Sequence, residues 1–436
     1  MLATAVLCGC ACVEKPLLRI AVTSDAQAVD IADHWGIVNT AKAFDFLSQF
    51  KPDVVVMAGD LADRSGHPGV YRRYRELMQQ YFPYGAHQVS CAGNHEFWSG
   101  REDDYEEIWH EFTDGLQISR ENPCRQTIGG YDFITLTEER RDEYSPEMIA
   151  KLKAKLDEAV ARDAGKPIFV VTHYPPLGTM LGSERARAAL RNLFNSYPQV
   201  ISLSGHTHRP LECETCIWQG EFTALTTATL SYGCIGGGER FLNVAGGTIL
   251  PYAREVQQAL LIDVFGDRME IHRYNVHDRR EINPDDLWVV DVPYEPATAR
   301  LTMARAESAV APEFPAGSRL KIRHDFGFAY LLFPPAEHER MVFSYIMRAS
   351  VKQADGSWQV VKEAEYIADF YRYLAHRTTE VAIKLPENTF QPEKIMRFEV
   401  FPVEEFGKRG KPISLEMAVP HTWNLRRSAK QAYPQE

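Results

Sequence analysis

The 436-residue chain has no run of ~18 consecutive apolar residues, the length a bilayer-crossing helix needs. It also lacks low-complexity tracts and Gly/Ser-rich linkers, which excludes wholesale disorder. Basic residues are in the minority: 48 Lys and Arg stand against 59 Asp and Glu, a net charge of −11. That balance argues against coating nucleic acid or an anionic membrane. A small anionic substrate is still compatible, because a local cationic centre outweighs a distant negative surface. Cysteine is scarce, with eight in all and none beyond Cys234, too few for a disulfide scaffold at this length. Cys213-Glu214-Thr215-Cys216 is a lone C-x-x-C with no second pair, so it reads as two strand or loop cysteines rather than a zinc site. The Gly-rich stretch 233–247 (GCIGGGERFLNVAGG) has no phosphate-loop spacing and reads as a loop near the substrate mouth. No internal repeat is visible.

Residues 1–12 (MLATAVLCGCAC) are apolar and small, and no Lys or Arg precedes Lys15. Leu7-Cys8-Gly9-Cys10 resembles the box before the lipidated cysteine of bacterial lipoproteins. Residues 1–16 are therefore read as a shortened export or lipoprotein segment, with Cys10 as the lipid-anchor position. A secretory signal ordinarily carries a basic start and is longer, so a short apolar arm on a cytoplasmic protein is the alternative.

Downstream, strand-like and helix-like stretches alternate. Residues 17–23 form a strand-like run ending in Ser24-Asp25, and a helical stretch follows at about 39–50 with Phe44 and Leu47 on one face. Residues 53–58 (DVVVMA) are a β-branched run suited to a strand buried on both faces, and it stops at Gly59-Asp60. A helix over 70–81 leads to a short strand, 89–92, that ends at Gly93-Asn94-His95-Glu96. Residues 131–137 alternate as in a half-buried strand, and Ser145-Pro146 caps a helix running to Arg162. Strand 167–172 ends at His173. A helix near 183–196 precedes strand 200–204, which ends at Gly205-His206-Thr207-His208. Alternation of this kind implies sheets covered by helices, with ligands at the carboxyl ends of the strands. After residue 275 short alternating runs take over, at 287–292, 319–322, 341–347, 358–361, 381–385 and 396–403, with Asp355-Gly356 as a hairpin turn. These runs predict a β-sandwich, and Asn283-Pro284 in a polar stretch places the boundary near 280.

The strand tips collect Asp25, Asp60, Asn94, His95, His173, His206 and His208. Two carboxylates, an amide and three imidazoles are nitrogen and oxygen ligands without thiolate, with one more histidine beside them. Such a set suits Mn, Fe, Zn or Mg-type ions. Two metals ~4 Å apart can clamp an in-line displacement at phosphorus, and a carboxylate is suited to bridge them.

Asp25-Ala26-Gln27, Gly59-Asp60-Leu61-Ala62-Asp63, Gly93-Asn94-His95-Glu96, His173 and Gly205-His206-Thr207-His208 resemble, in order and spacing, the five motifs of the calcineurin-like metallophosphoesterases. The resemblance spans roughly residues 17–275. It implies an α/β fold: a four-layer sandwich of two mixed β-sheets flanked by helices over 17–279, with the β-sandwich over 280–436 as a second domain. It also implies two divalent ions, with manganese favoured, and attack on a small phosphomonoester or phosphodiester by a metal-bridging hydroxide. On this reading Asp25, position 27 and His208 hold the first metal, Asp60 bridges, and Asn94, His173 and His206 hold the second. His95 stands free and assists the leaving group, while Asn94, His95 and Arg64 contact substrate. A solvated loop arginine is the plainer reading of Arg64. Asp63 and Glu96 are assigned supporting positions near the metals. His34, His67, His87 and His110 have no motif context, and residues 97–109 are either a pocket wall or a solvated amphipathic helix.

One residue departs from the pattern. The family's first motif is Asp-x-His, and here position 27 is Gln27, whose amide oxygen is a neutral, weaker donor better matched to Mn or Mg. Residues 396–413 (MRFEVFPVEEFGKRGKPI) resemble the last hairpin of fibronectin type III domains. The competing expectation is a non-catalytic metal-binding or scaffold protein whose C-terminal sandwich mediates interaction. The expected partner of the enzyme is a small phosphate ester, with nucleic acid disfavoured.

Overall fold

The computed structural model describes residues 14–65, 67–98, 104–138, 144–180, 188–235, 241–244, 249–325, 328–386, 388–421 and 423. The expected leader and Cys10 lie outside these residues, as do the start of the 183–196 helix and parts of 97–109 and 233–247.

The chain opens with β1 (Leu18–Thr23), α1 (Trp35–Ser48), β2 (Val54–Ala58), α2 (Pro68–Tyr81), β3 (His87–Cys91) and α3 (Tyr105–Leu116). Next come β4 (Cys124–Ile128), β5 (Tyr131–Leu136), α4 (Pro146–Arg162), β6 (Ile168–Thr172), α5 (Ala188–Phe194), β7 (Val200–Ser204), β8 (Ile217–Gln219) and β9 (Thr223–Thr226). It then returns through β10 (Gln258–Val264), β11 (Arg268–Asn275), β12 (Arg280–Glu281) and β13 (Trp288–Asp291). Helix α6 (Arg305–Ser308) leads to β14 (Lys321–Asp325), β15 (Phe328–Phe333), β16 (Ser344–Lys352), β17 (Trp358–Ile367), β18 (Val381–Lys384), β19 (Ile395–Val403) and β20 (Ile413–Ala418).

Two mixed sheets stack face to face. One has the order β12-β11-β10-β1-β2-β3, with β13 also on β11, and the other has the order β4-β5-β6-β7-β9-β8. Period-two alternation sorts each strand's side chains between layers. Ile20, Val22, Val54 and Val56 face Phe133, Phe169, Val171, Ile201 and Leu203 in the central core. On the far side of the first sheet, Ala21, Val55 and Met57 pack with Phe44, Leu47, Tyr71, Tyr74 and Phe112 from α1, α2 and α3. On the far side of the second, Ile134, Leu136 and Val170 pack with Leu152, Leu156, Leu190 and Phe194 from α4 and α5. The result is the expected four-layer α/β sandwich. The start of α4 is set locally: Ser145 Oγ accepts from Met148 N–H at 3.1 Å, and Pro146 occupies the first turn.

Strands β1, β2 and β3 are parallel and in step, with Val22 opposite Val56 and Val56 opposite Val89. Strands β5, β6, β7 and β9 are likewise parallel neighbours. Both sets therefore finish along one edge of the molecule.

Past residue 280, β12 and β13 are strands of the first sheet, paired with β11. The following strands form two antiparallel sheets, β14-β15-β18 and β17-β16-β19-β20. The Asp355-Gly356 turn joins β16 to β17, with Gly356 at φ +84° and the Asp355 carboxylate accepting from Ser357 N–H at 2.9 Å. The seam with the front of the molecule is ionic and buried. Glu214 accepts from Arg273 at 2.9 Å, from Trp288 Nε1 at 3.0 Å and from Arg305 at 3.0 Å. Glu405, between β19 and β20, accepts from Glu214 N–H at 2.6 Å and lies 3.5 Å from the Arg209 guanidinium.

Candidate metal centre

Each expected site residue follows directly on a strand. Asp25 comes just after β1, Asp60 after β2, Asn94 and His95 after β3, His173 after β6, and His206 and His208 after β7. The backbone turns tightly there, with φ of +52° at Asp25, +46° at Gln27, +54° at Asp60, +68° at His206 and +51° at His208. Asp, Asn and His visit this left-handed region more readily than most residues. Two motif glycines leave room for the turns. A Cβ on Gly93 would lie 2.2 Å from Asp60 Oδ1, and one on Gly205 would lie 2.4 Å from Asp25 Oδ2.

The side chains converge. One donor atom each from Asp25, Asp60 and His173 lies within 4.8 Å of the others. His173 Nε2 is 3.2 Å from Asp60 Oδ2 and 3.1 Å from Asn94 Oδ1. His206 Nδ1 is 3.1 Å from the same Asn94 oxygen, and His208 Nε2 is 3.0 Å from Asp25 Oδ1. Backbone carbonyls orient the rings: His173 Nδ1 donates to Ala58 O at 2.9 Å and His208 Nδ1 to Tyr232 O at 2.7 Å. A carbonyl only accepts, so each Nδ1 carries hydrogen and each Nε2 faces the carboxylates, the orientation of a metal-ligating imidazole.

Asp25 and Asp60 are 0% and 1% exposed. Among the described residues no Lys or Arg is ion-paired with either. Burial opposes the charge on Asp60, but the His173 and His95 imidazoles outweigh it and hold this carboxyl well below the usual carboxylate range. Burial likewise opposes a proton on His173, yet Asp60 and Asp25 lift it to about 10. His206 is pushed down to about 3 by burial and by the charge on His173. The two carboxylates thus draw positive charge into a dry site, and divalent cations answer that demand with the donors present.

The calcineurin-like phosphoesterase family model matches residues 18–210, a span that contains every one of these side chains. Over residues 18–210 the chain is similar to a calcineurin-like phosphoesterase domain. A curated relative of the domain is the cAMP/cGMP dual specificity phosphodiesterase of Mycobacterium tuberculosis (strain CDC 1551 / Oshkosh), 28% identical over 167 residues, 37% of this chain and 50% of that protein. The chain thus spans about half the length of the curated relative it matches. Similar solved structures include a dimetal phosphatase from Danio rerio, with a TM-score of 0.42 and 12% identity, covering 59% of this chain and 96% of that one. A purple acid phosphatase from yellow lupin (Lupinus luteus) seeds has a TM-score of 0.42 and 15% identity, covering 63% of this chain and 53% of that one.

Within the matched span His95 stands beside the cluster. Its Nδ1 donates to Asp63 O at 2.7 Å, and its Nε2 lies 3.8 Å from Asp60 Oδ2. The Trp98 ring meets it edge-on at 4.7 Å between centroids. Glu96 is fully buried and accepts backbone N–H groups from Asp60 at 3.0 Å, Gly93 at 2.6 Å and Ala62 at 2.8 Å, lacing the β2 and β3 tips together. Arg64 is at the rim, mostly exposed, 3.4 Å from the Asp63 carboxylate.

Gln27, the expected ligand of the first metal, has a buried side chain. Its Oε1 accepts from Ser231 Oγ at 3.2 Å, and its Nε2 faces His95 Nε2 at 3.1 Å. A further strand tip, after β9, also reaches the site. Thr229 Oγ1 donates to Asp25 O at 3.0 Å, and Tyr232 lies against His208 with ring centroids 4.4 Å apart. The hydroxyl-rich run Thr226-Thr227-Ala228-Thr229-Leu230-Ser231 was its only sequence signal. Cys213 and Cys216 are buried, and Cys216 Sγ donates to Pro210 O at 3.3 Å.

Proposed function

We propose that the chain is a metal-dependent phosphoesterase acting on a small phosphomonoester or phosphodiester. The convergence of Asp25, Asp60 and His173 at buried strand tips, with His95 oriented beside them, carries this reading. Asp60, Asn94, His173 and His206 would hold one divalent ion, and Asp25, Gln27, Asp60 and His208 a second, with manganese our preferred metal. When bound, such ions supply Lewis-acid activation of water and of the phosphoryl group.

The chain's own groups do the rest. Asp63 O accepts a hydrogen bond from His95 Nδ1 and fixes the ring, so Nε2 is the atom that would exchange a proton with the leaving oxygen. Asn94 and Arg64 are assigned to the phosphoryl oxygens, with Arg64 reaching in from the rim. The name of the mycobacterial relative adds cyclic nucleotides to the small diesters worth trying. The acidic surface disfavours long polyanions. We read the two C-terminal antiparallel sheets, of three and four strands, as fibronectin type III-like. Export with lipid at Cys10 is our reading of the leader, and loss of palmitate labelling in Cys10→Ala would support it.

Hydrolysis of p-nitrophenyl phosphate and its bis-ester by the Mn-loaded chain tests the activity. His95→Ala should lower turnover by about 10²–10⁴-fold and leave metal content unchanged. No turnover of either ester with any divalent ion would refute the reading, and loss of metal in His95→Ala would refute the role given to His95.

A further inference from the structure

The imidazole of His208 is held by one wall of the site. Its Nδ1 donates to Tyr232 O at 2.7 Å, the Tyr232 ring lies 4.4 Å from it, and the His208 carbonyl accepts from Cys234 N–H at 3.0 Å. That wall belongs to the connection between β9 and β10 rather than to a strand. A second stretch of the same connection fixes it. Gly233 N–H donates to Ala253 O at 2.8 Å, and Leu250 N–H donates to Gly233 O at 3.1 Å. The approach is so close that a Cβ on Gly233 would lie 2.5 Å from Val256 Cγ2.

The C-terminal sheets hold that second stretch. From the β17–β18 connection, the Tyr371 hydroxyl donates to Pro251 O at 2.6 Å and the Tyr373 hydroxyl to Arg254 O at 3.3 Å. Between them Arg372 gives two bonds to the Glu255 carboxylate, at 3.0 and 3.1 Å, with its guanidinium over the Tyr252 ring. The two charged side chains are only 14% and 15% exposed. Such a fork is screened less than a surface pair, and it fixes direction as well as distance. On the other flank of His208, the neighbouring Arg209 donates to Ile235 O at 2.7 Å and lies 3.5 Å from the Glu405 carboxylate. The path from Arg372 to the Tyr232 carbonyl therefore runs through Glu255, Ala253 and Gly233 alone.

We propose that Arg372 and Tyr371 are positioning residues for His208, so that the C-terminal sheets complete the metal centre without supplying a ligand. A carbonyl that orients a ligating imidazole commonly sets metal affinity by about 10–100-fold. Here that carbonyl takes its place from a segment about 140 residues further along the chain. The proposal rests on the reading of His208 as a metal ligand; the bracing of the wall does not.

The full chain provides the test, with Arg372→Met, the milder Tyr371→Phe, and the exchanged pair Arg372→Glu with Glu255→Arg. The readouts are hydrogen exchange of the metal-free chain by mass spectrometry, calorimetric titration with Mn²⁺, and hydrolysis of bis(p-nitrophenyl) phosphate at low and saturating Mn²⁺. In Arg372→Met the amides of Gly233 and Cys234 should exchange about tenfold faster, while those of β1, β2 and β6 stay as in wild type. One Mn²⁺ site should weaken about tenfold and the other stay within about twofold. Lost hydrolysis should return at saturating Mn²⁺, which a general loosening of the fold would not allow. Tyr371→Phe should move each reading the same way, and the exchanged pair should move them back toward wild type. Unchanged exchange at Gly233 and Cys234, equal weakening of both sites, or an exchanged pair no better than Arg372→Met would each overturn the proposal. A wild type that binds no divalent ion would overturn it together with the metal centre. If the wild type binds Mn²⁺ and hydrolyses no ester, the phosphoesterase reading fails, while exchange and calorimetry still decide the role of Arg372.

Discussion

Replacing Glu96 by Gln removes one acceptor and adds a donor at the point where two strand tips are joined. The carboxylate takes Asp60 and Gly93 N–H on Oε2, at 3.0 and 2.6 Å, and Ala62 N–H on Oε1, at 2.8 Å. A glutamine can keep two of these bonds by placing its oxygen at the Oε2 position. Its NH₂ then meets the Ala62 N–H, and a buried donor is left unpaired against another donor. That costs about 1–3 kcal/mol. Glu96→Ala would strand all three donors, about 3–9 kcal/mol by the same reasoning, against a typical total stability of about 5–15 kcal/mol. Glutamine is therefore the variant that can be measured. Two effects compete at this carboxyl. Burial and the charge of Asp60 push Glu96 up to about 8, while the backbone donors favour its charged form. Cations bound at Asp60 would cancel the repulsion, so the comparison belongs in excess Mn²⁺. Urea unfolding followed by circular dichroism should place Glu96→Gln about 1–3 kcal/mol below wild type, with weaker metal retention, since Asp60 and Asn94 flank the lost bond. A variant as stable as wild type, or more so, would mean that the folded protein already holds Glu96 as a carboxylic acid, and the count of accepted bonds would be wrong.

Further outcomes follow from other contacts. Gly93→Ala should lower the metal content measured by atomic emission, because its Cβ would sit 2.2 Å from Asp60 Oδ1; full occupancy would show that the tip can yield. Glu214→Ala should cost about 3–5 kcal/mol in urea unfolding, since breaking a buried pair leaves Arg273 and Arg305 uncompensated; a loss under about 1 kcal/mol would contradict this. His272 Nδ1 lies 2.6 Å from the Glu281 carboxylate, and although burial opposes its charge, Glu281 raises it above the ordinary histidine value. A raised folded value means that the stabilisation is complete below the unfolded pKa of about 6.5 and is lost as pH rises through the folded value. The stability gap between wild type and His272→Gln should therefore shrink as pH rises above about 6.5, and a constant gap would refute the pairing.

Where local chemistry restricts the choice of residue, the chain is readable directly. DVVVMA can only be a buried strand, and its register in the sheet follows; Ser145-Pro146 starts α4 at the expected residue. The ligand types at the strand tips stand out because few side chains hold a divalent ion. Gln27 is harder, because an amide serves as ligand or as hydrogen-bond partner. Its neighbours in the fold are Ser231, 204 residues away, and His95, 68 residues away, which no local pattern announces. The β9 tip carries hydroxyls and no ligand type, so nothing marks it. Asn283-Pro284 looks like the end of a domain, but such residues mark turns within a sheet equally well: Ile282 N–H still bonds Arg273 O at 2.7 Å, and β13 pairs beyond it. Nothing local in the sequence marks Arg209 and Arg273 as buried, because their acidic partners, Glu405 and Glu214, come from distant segments.

The central apolar cluster has a consequence for how this protein can be handled and how it could have changed. Leu18, Val56 and Phe169 from the front of the chain belong to the same continuous packing as Trp288, Leu331, Met347 and Phe398 from the back. The rear sheets are therefore not cargo that recombination could exchange for another module, or that an experimenter could trim at residue 280. A cut there would strip two strands from β11, empty the seat of Trp288 and take Asp286 O from the buried Arg273 guanidinium. A fragment ending at that point is an injured molecule, and silence from it in an assay would say nothing about the whole chain.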